Sequence, residues 1–201
     1  MTTEEAVAAI RLGRPVVIPT DTVYGLVSTP YSEEPAQRIH ALKGRREGQP
    51  LALMACDVEM LLECVPELRG RYEAVVRALL PGQYTLVLPN PVHRFPWLGG
   101  AHPETIGVRV PVLPPAGRAI LERAGALVAT SANLHGGPDP VRLADVPEAI
   151  LAAAGAVVDG GTLPGRPSTV IDLTGDEPRL LREGAVPAAE ALERARAALS
   201  A

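Results

Sequence analysis

Short apolar runs that alternate with segments of helical period constrain this chain more than any other feature of its sequence. Pro15–Thr20, Leu51–Met54, Tyr84–Leu88, Thr105–Val110, Ala126–Ala129, Ala156–Val158, Ser168–Asp172 and Arg179–Leu181 have the length and the aliphatic or β-branched content of strands. Helical patterns fall between them. The first is capped by Thr3, runs to about Leu12 and is closed by Gly13. Others run from Glu33 to Leu42, from an Asp57 cap through Met60, Leu61 and Leu62, and from Glu67 to Leu80. Further helices are expected over Pro115–Ala124, Val146–Ala154 and from Pro187 to about 199. Strands interleaved with helices at this spacing predict an α/β fold: an open, twisted, mixed β-sheet with flanking helices, in one domain spanning residues 1–201.

Composition narrows the function classes. Hydrophobic residues are 47% and charged residues 21%, as in soluble globular proteins. No apolar run approaches the roughly 20 residues that span a bilayer. Met1–Glu5 is acidic and opens an amphipathic pattern, unlike a signal peptide. Cys56 and Cys64 form no close metal-ligand pair and imply no disulfide framework, so a reducing cytoplasm is the expected location. A net charge of −4 argues against a protein whose main work is coating nucleic acid. Of the 19 Lys and Arg residues one is lysine, Lys43, and it stands in Lys43-Gly-Arg-Arg46, three positive charges in four residues.

Polar residues collect where apolar runs end, the place at which open α/β sheets bind ligands. Ile18-Pro-Thr-Asp-Thr-Val-Tyr-Gly25 follows the first strand and Val128-Ala-Thr-Ser-Ala-Asn133 another; Gly165-Arg-Pro-Ser-Thr-Val170 enters a strand and Leu181-Arg-Glu-Gly184 leaves one. Each is also ordinary turn chemistry. Together, hydroxyls, amides, backbone N–H groups and a Lys-x-Arg pair are what a phosphate cradle needs. There is no Gly-x-x-x-x-Gly-Lys loop, no Gly-x-Gly-x-x-Gly, and no Gly-x-Ser-x-Gly elbow at Ser131. His40, His93, His102 and His135 lack metal-ligand spacing. Arg109 fits either an anion contact or a strand-edge ion pair.

Pro19-Thr-Asp-Thr-Val-Tyr-Gly-Leu26, Lys43-x-Arg45 with Pro50-Leu51, Pro81-Gly-x-x-Thr85, Ser131-x-Asn133, Ser168-Thr-Val170 and Arg182-x-Gly184 follow one another in an order that resembles the YrdC-like family of threonylcarbamoyl-AMP synthases, over about residues 5–186. The resemblance implies the YrdC-like fold and the conversion of L-threonine, bicarbonate and ATP to threonylcarbamoyl-adenylate and pyrophosphate. That product would serve the threonylcarbamoyl modification of adenosine 37 in tRNA, through a downstream tRNA threonylcarbamoyl transferase. It implies catalytic roles for Lys43 and Arg45 as a phosphate clamp. ATP contacts would come from Arg45, Thr85, Ser131, Asn133 and Arg182, with Mg2+ carried by the phosphates. Thr22, Tyr24, the backbone at Ala129, and Ser168 would form the amino-acid and carbamate pocket. In many members a histidine stands near the position of Met54 and a basic residue at that of Pro89. Tyr84 and Met54-Ala-Cys are similar instead to YciO-type paralogues, which implies the alternative of a nucleotide- or RNA-binding protein without synthase activity, contacting RNA through the basic loop from Arg38 to Arg46.

Overall fold

A computed structural model describes residues 2–44 and 48–200. Helix α1 (Thr3–Arg11) opens one residue earlier than expected, because Thr2 is its cap. The Glu5 N–H donates to Thr2 Oγ1 at 3.2 Å, and the Thr2 N–H donates to Glu5 Oε2 at 2.8 Å, a reciprocal arrangement that satisfies two otherwise orphaned donors. Strand β1 (Val16–Pro19) turns into β2 (Tyr24–Ser28), paired antiparallel from Val16–Val27 to Pro19–Tyr24. The connection is closed by Thr20, whose hydroxyl donates to the Val23 carbonyl at 2.6 Å and accepts from the N–H groups of Thr22 and Val23.

Helix α2 (Glu33–Lys43) stops at Gly44, whose φ of +62° is the left-handed conformation that a glycine adopts without steric cost. Lys43 is thereby fixed on the last turn. Strand β3 (Ala52–Ala55) leads to α3 (Val58–Cys64), capped by Asp57 as expected, its carboxylate accepting from the Met60 N–H at 2.7 Å. The helix expected over 67–80 is shorter: a 3-10 turn at Pro66–Leu68, then α4 (Glu73–Leu79), with Gly70 at φ +89° between them. The chain continues through β4 (Tyr84–Pro89), β5 (Thr105–Arg109), α5 (Pro115–Ala124), β6 (Ala126–Ser131), α6 (Glu148–Ala153), β7 (Ala156–Val157), β8 (Thr169–Asp172), β9 (Arg179–Arg182) and α7 (Ala188–Leu199).

In the described residues one mixed sheet runs in the order β7-β1-β2-β6-β3-β5-β4-β8-β9. The β1–β7, β3–β5 and β4–β8 pairs are parallel and the other pairs antiparallel. This is the expected open mixed α/β sheet. Strand residues alternate between its faces. Leu26, Leu53, Leu86, Ile106, Val108, Val128 and Ile171 point to one face, where α2, α3, α4, α6 and α7 cover them. On the other face Val16, Ile18, Val27, Met54 and Leu127 meet α1 and α5. Helix α5 lies so close to β1 that a Cβ on Gly117 would sit 2.3 Å from the Pro19 carbonyl oxygen, inside contact distance. Among the described residues no helix packs over the rest of that second face, from Ser131 at the end of β6 across Ala52 of β3 to β5, β4, β8 and β9. Among the described residues no helix is long and apolar enough to cross a membrane.

Tyr24 is fully buried on the helix-covered face, beside Leu26. Its hydroxyl donates toward Asp159 Oδ1 (2.8 Å) and the Gly161 carbonyl (2.9 Å) and accepts from the Gly160 N–H at 2.9 Å. Burial pushes the phenol above its ordinary pKa, so it remains a donor at neutral pH. The Gly161 N–H, then the Tyr24 hydroxyl, hold the Asp159 carboxyl below the usual range. Tyr24→Phe is expected to lower stability by about 1 kcal/mol in denaturant titrations. Because the Asp159 value is depressed on folding, its contribution is present above the unfolded value near 4 and fades as pH falls through the folded one. The difference between wild type and Tyr24→Phe should therefore narrow below about pH 4.

Candidate active site

The uncovered sheet face is the floor of a cavity of roughly 210 Å3. Strand register maps it residue by residue. Ala129 on β6 pairs with Ala52 on β3, Ala52 with Gly107 on β5, and Gly107 with Val87 on β4, a row of small side chains across four adjacent strands. At about 4.8 Å per strand this row makes a trough about 14 Å long. Along one side stand Ser131, paired with Gly25, and Thr105, paired with Pro89. Along the other stand Met54, Arg109 and Thr85. Met54 pairs with Arg109, and Thr85 precedes Leu86, the partner of Val108, which sets it beside Arg109.

Loops complete the walls. Ser168 is buried and shares a 2.8 Å hydrogen bond with Thr85. Arg182 donates from Nε (3.2 Å) and Nη2 (2.9 Å) to the Ser168 carbonyl, and from Nη2 to its hydroxyl at 3.2 Å. Thr22, 3.1 Å from the Thr20 hydroxyl, faces the cavity, and its carbonyl accepts from the Gly165 N–H at 2.9 Å. The Ser131 hydroxyl donates to Asn133 Oδ1 at 2.6 Å, and Asn133 Nδ2 donates to the Gly137 carbonyl at 2.6 Å. Lys43 lies beneath this turn, 1% exposed, donating to the Ser131 carbonyl, the Asn133 carbonyl (2.6 Å) and Asn133 Oδ1 (2.8 Å).

Arg109 reaches the cavity from β5 with Nη2 3.0 Å from Asp21 Oδ1. Asp21 is held in turn by the Val112 N–H on Oδ2 (3.3 Å) and by Gln83 Nε2 on its carbonyl (2.9 Å). Burial pulls the guanidinium below its ordinary pKa; Asp21 opposes this, and the positive charge of Arg182 adds to it. Among the described residues Asp139 is the one carboxylate on the cavity wall. Burial pushes the Cys56 thiol up to about 11, which removes it as a nucleophile at neutral pH. Among the described residues no group of three His, Cys, Asp or Glu side chains is placed to hold a metal ion.

Of the residues singled out from the sequence, Thr22, Thr85, Ala129, Ser131, Ser168 and Arg182 line one cavity. Asn133 and Lys43 stand behind its wall, packed against Ser131. Tyr24, expected to wall the pocket, points to the opposite face of the sheet, because strand alternation gives the cavity side to Gly25. Arg45 and Arg46 lie outside the described residues. The cavity also lies on the sheet face instead of beyond the strand ends. Ala52, Thr105, Gly107 and Asp139 were not anticipated. Their signal is the alternation Thr105-x-Gly107-x-Arg109, small and polar residues on the strand side where a covered sheet would carry aliphatic ones.

Two arginines, several hydroxyls and a row of small side chains give this cavity, on the sheet of an α/β domain, the chemistry that suits a compact anion. Residues 8–184 match the Sua5/YciO/YrdC family profile, which carries the description "Telomere recombination". The chain belongs to this family. It is 36% identical over 187 residues to the threonylcarbamoyl-AMP synthase of Pyrococcus abyssi, covering 92% of this chain and 54% of that protein. The crystal structure of P. abyssi Sua5 complexed with L-threonine superposes with a TM-score of 0.86 at 33% identity, over 96% of this chain and 56% of that one. The crystal structure of E. coli YciO gives 0.79 at 26% identity, over 94% and 92%. The chain spans about half the length of the first curated relatives it matches, 54% and 53%.

Proposed function

We propose that this chain is a nucleotidyltransferase that makes threonylcarbamoyl-adenylate and pyrophosphate from L-threonine, bicarbonate and ATP. The observation that carries this is the gathering of Thr22, Ala129, Ser131, Ser168 and Arg182 around one trough, in a chain 33% identical to a Sua5 structure complexed with L-threonine. The threonine amine and bicarbonate form a carbamate with loss of water. A carbamate oxygen then attacks the α-phosphorus, and the bond from that phosphorus to the bridging oxygen breaks to release pyrophosphate. Both partners are anions and no protein nucleophile is needed, so positioning and charge stabilisation do the work. Arg182 would hold phosphate oxygens beside the Thr85–Ser168 pair, and the Ser131 hydroxyl and Asn133 would shape the nucleotide end. Lys43 would hold that end in shape from behind.

The donor set suits Mg2+ that arrives with the nucleotide, since among the described residues one carboxylate, Asp139, and nearby hydroxyls are too few for an all-protein cage. Mg2+ would neutralise phosphate charge. The adenylate is a labile mixed anhydride, which fits direct delivery to a tRNA threonylcarbamoyl transferase in the cytoplasm. RNA contact through the basic loop from Arg38 to Arg46 is a separate expectation, tested by salt-dependent binding.

Purified protein with ATP, Mg2+ and bicarbonate is expected to release pyrophosphate only when L-threonine is added, with the adenylate detected by mass spectrometry. Pyrophosphate release indifferent to threonine would sink this function.

A further inference from the structure

Asp139 faces a cavity whose other charged groups are positive, and nothing in the fold employs it. We propose that Asp139, with the Ser131 hydroxyl beside it, ligates the Mg2+ that enters on the phosphates of the nucleotide. This rests on the function proposed above, in which a nucleotide occupies the Ser131–Asn133 end of the trough.

Asp139 and Ser131 stand at the same corner of the cavity. Ser131 pairs with Gly25 across β6 and β2, and one residue along β2 the Tyr24 N–H donates to the Pro140 carbonyl at 2.9 Å. The chain between them is a closed turn. Asn133 Nδ2 donates to the Gly137 carbonyl at 2.6 Å, and the Gly137 N–H donates to the Leu134 carbonyl at 3.0 Å. Pro138 and Pro140 flank Asp139, and a residue before proline is confined to extended backbone. The carboxylate is therefore placed before any ligand arrives. It is half-buried and has neither a hydrogen bond nor an ion pair among the described residues. The Ser131 hydroxyl gives its proton to Asn133 Oδ1 at 2.6 Å, which leaves its lone pairs for a cation or a donor.

A lone carboxylate on the wall of an anion site needs a reason. Among the described residues the other charged side chains on that wall are Arg109 and Arg182. They attract an incoming triphosphate, whereas Asp139 repels it, the more strongly where water is excluded. A divalent cation between the carboxylate and the phosphates turns that repulsion into attraction. Mg2+ is held in such sites by one or two carboxylates together with phosphate oxygens and water. A hydroxyl and an aspartate recur as the protein's share of that shell in phosphoryl-transfer enzymes. The amine of the amino acid is the other cation that a carboxylate here would hold. An ion pair would keep that amine protonated, the form without a free electron pair for carbamate formation, and so would oppose the reaction.

The test measures binding of the α,β-methylene analogue of ATP by calorimetry, in excess Mg2+ and in EDTA, to wild type, Asp139→Asn and Asp139→Glu. Wild type is expected to bind at least about 30-fold tighter with Mg2+, the range of a charge-assisted contact. Asp139→Asn should bring that ratio below about threefold and, in EDTA, bind tighter than wild type because the repulsion is gone. Asp139→Glu should keep part of the ratio. Mn2+ as a paramagnetic probe, titrated with the analogue present, should bind Asp139→Asn at least about tenfold more weakly than wild type. L-Threonine affinity should be the same in both. Asp139 has no hydrogen bond or ion pair to lose among the described residues, so the variants keep the fold, and melting curves check it. A Mg2+ ratio that survives in folded Asp139→Asn, or is absent from wild type, overturns the inference. So does a loss of threonine affinity in that variant, which would put the carboxylate on the amine. Threonine-dependent pyrophosphate release by wild type separates this assignment from the function on which it rests. Release without the Mg2+ ratio leaves the function standing and removes Asp139 alone. A ratio that depends on Asp139 without any release leaves the metal ligand standing and removes the synthase function.

Discussion

Lys43→Ala is expected to reduce threonine-dependent pyrophosphate release at least about 100-fold, which corresponds to about 2.7 kcal/mol of transition-state stabilisation. The same variant should melt about 6–12 °C lower, from roughly 3 kcal/mol of lost stability in a domain of this size. Both effects have one origin. The ammonium donates to the Ser131 carbonyl, the Asn133 carbonyl and Asn133 Oδ1, so truncation leaves buried acceptors without that donor. Asn133 also orients the Ser131 hydroxyl and holds the turn at Gly137, so the wall of the cavity loosens with it. Steady-state kinetics beside thermal melts check the pair of effects. A stable variant with near-normal turnover would show that the turn keeps its shape without Lys43.

Gly107→Leu is expected to abolish measurable L-threonine binding, a loss of at least about 100-fold, while the melting temperature moves by less than about 2 °C. A Cβ at Gly107 would meet nothing nearer than 3.7 Å, the Leu51 carbonyl and Thr85 Cγ2. A larger side chain therefore has room to start and grows straight into the trough. Glycine in a strand interior contributes no packing and costs backbone entropy, so nothing in the fold is lost by replacing it. Calorimetry on the folded variant gives the answer. Retained affinity would mean that the ligand does not lie on the Ala52–Gly107 floor.

The elements that could be read from the sequence were those whose boundaries are local. Helix α5 begins and ends as expected, because Pro115 and Gly125 punctuate it. The Asp57 cap is equally plain. Strand β2 was missed. Its sequence, Tyr24-Gly-Leu-Val-Ser28, merges with the polar Thr20–Thr22 turn, and only pairing with β1 and β6 makes it a strand. The helix expected over 67–80 divides at Gly70, a conformational choice that hydrophobic period does not reveal.

The site was legible in the same uneven way. Hydroxyl and cation motifs at Thr22, Ser131, Ser168 and Arg182 converge on the cavity. Its floor is built of Ala52, Gly107 and Ala129, residues that read as ordinary strand positions until the missing helix on that face is seen. Tyr24 was placed on the wrong side for want of the β2 register. Lys43 drew attention as a rare charge, whereas its structural position is that of a hidden brace.

The two faces of the central strands divide the work of the molecule in a way that matters for its variation. On β4, Leu86 and Leu88 belong to the core while Thr85 and Val87 face the cavity; on β5, Ile106 and Val108 belong to the core while Thr105, Gly107 and Arg109 do not. Changes of ligand preference can accordingly be written at every second residue with little debt in folding energy, and combined substitutions on opposite faces should act independently. Relatives can drift toward new substrates by single steps along these strands while each intermediate stays folded.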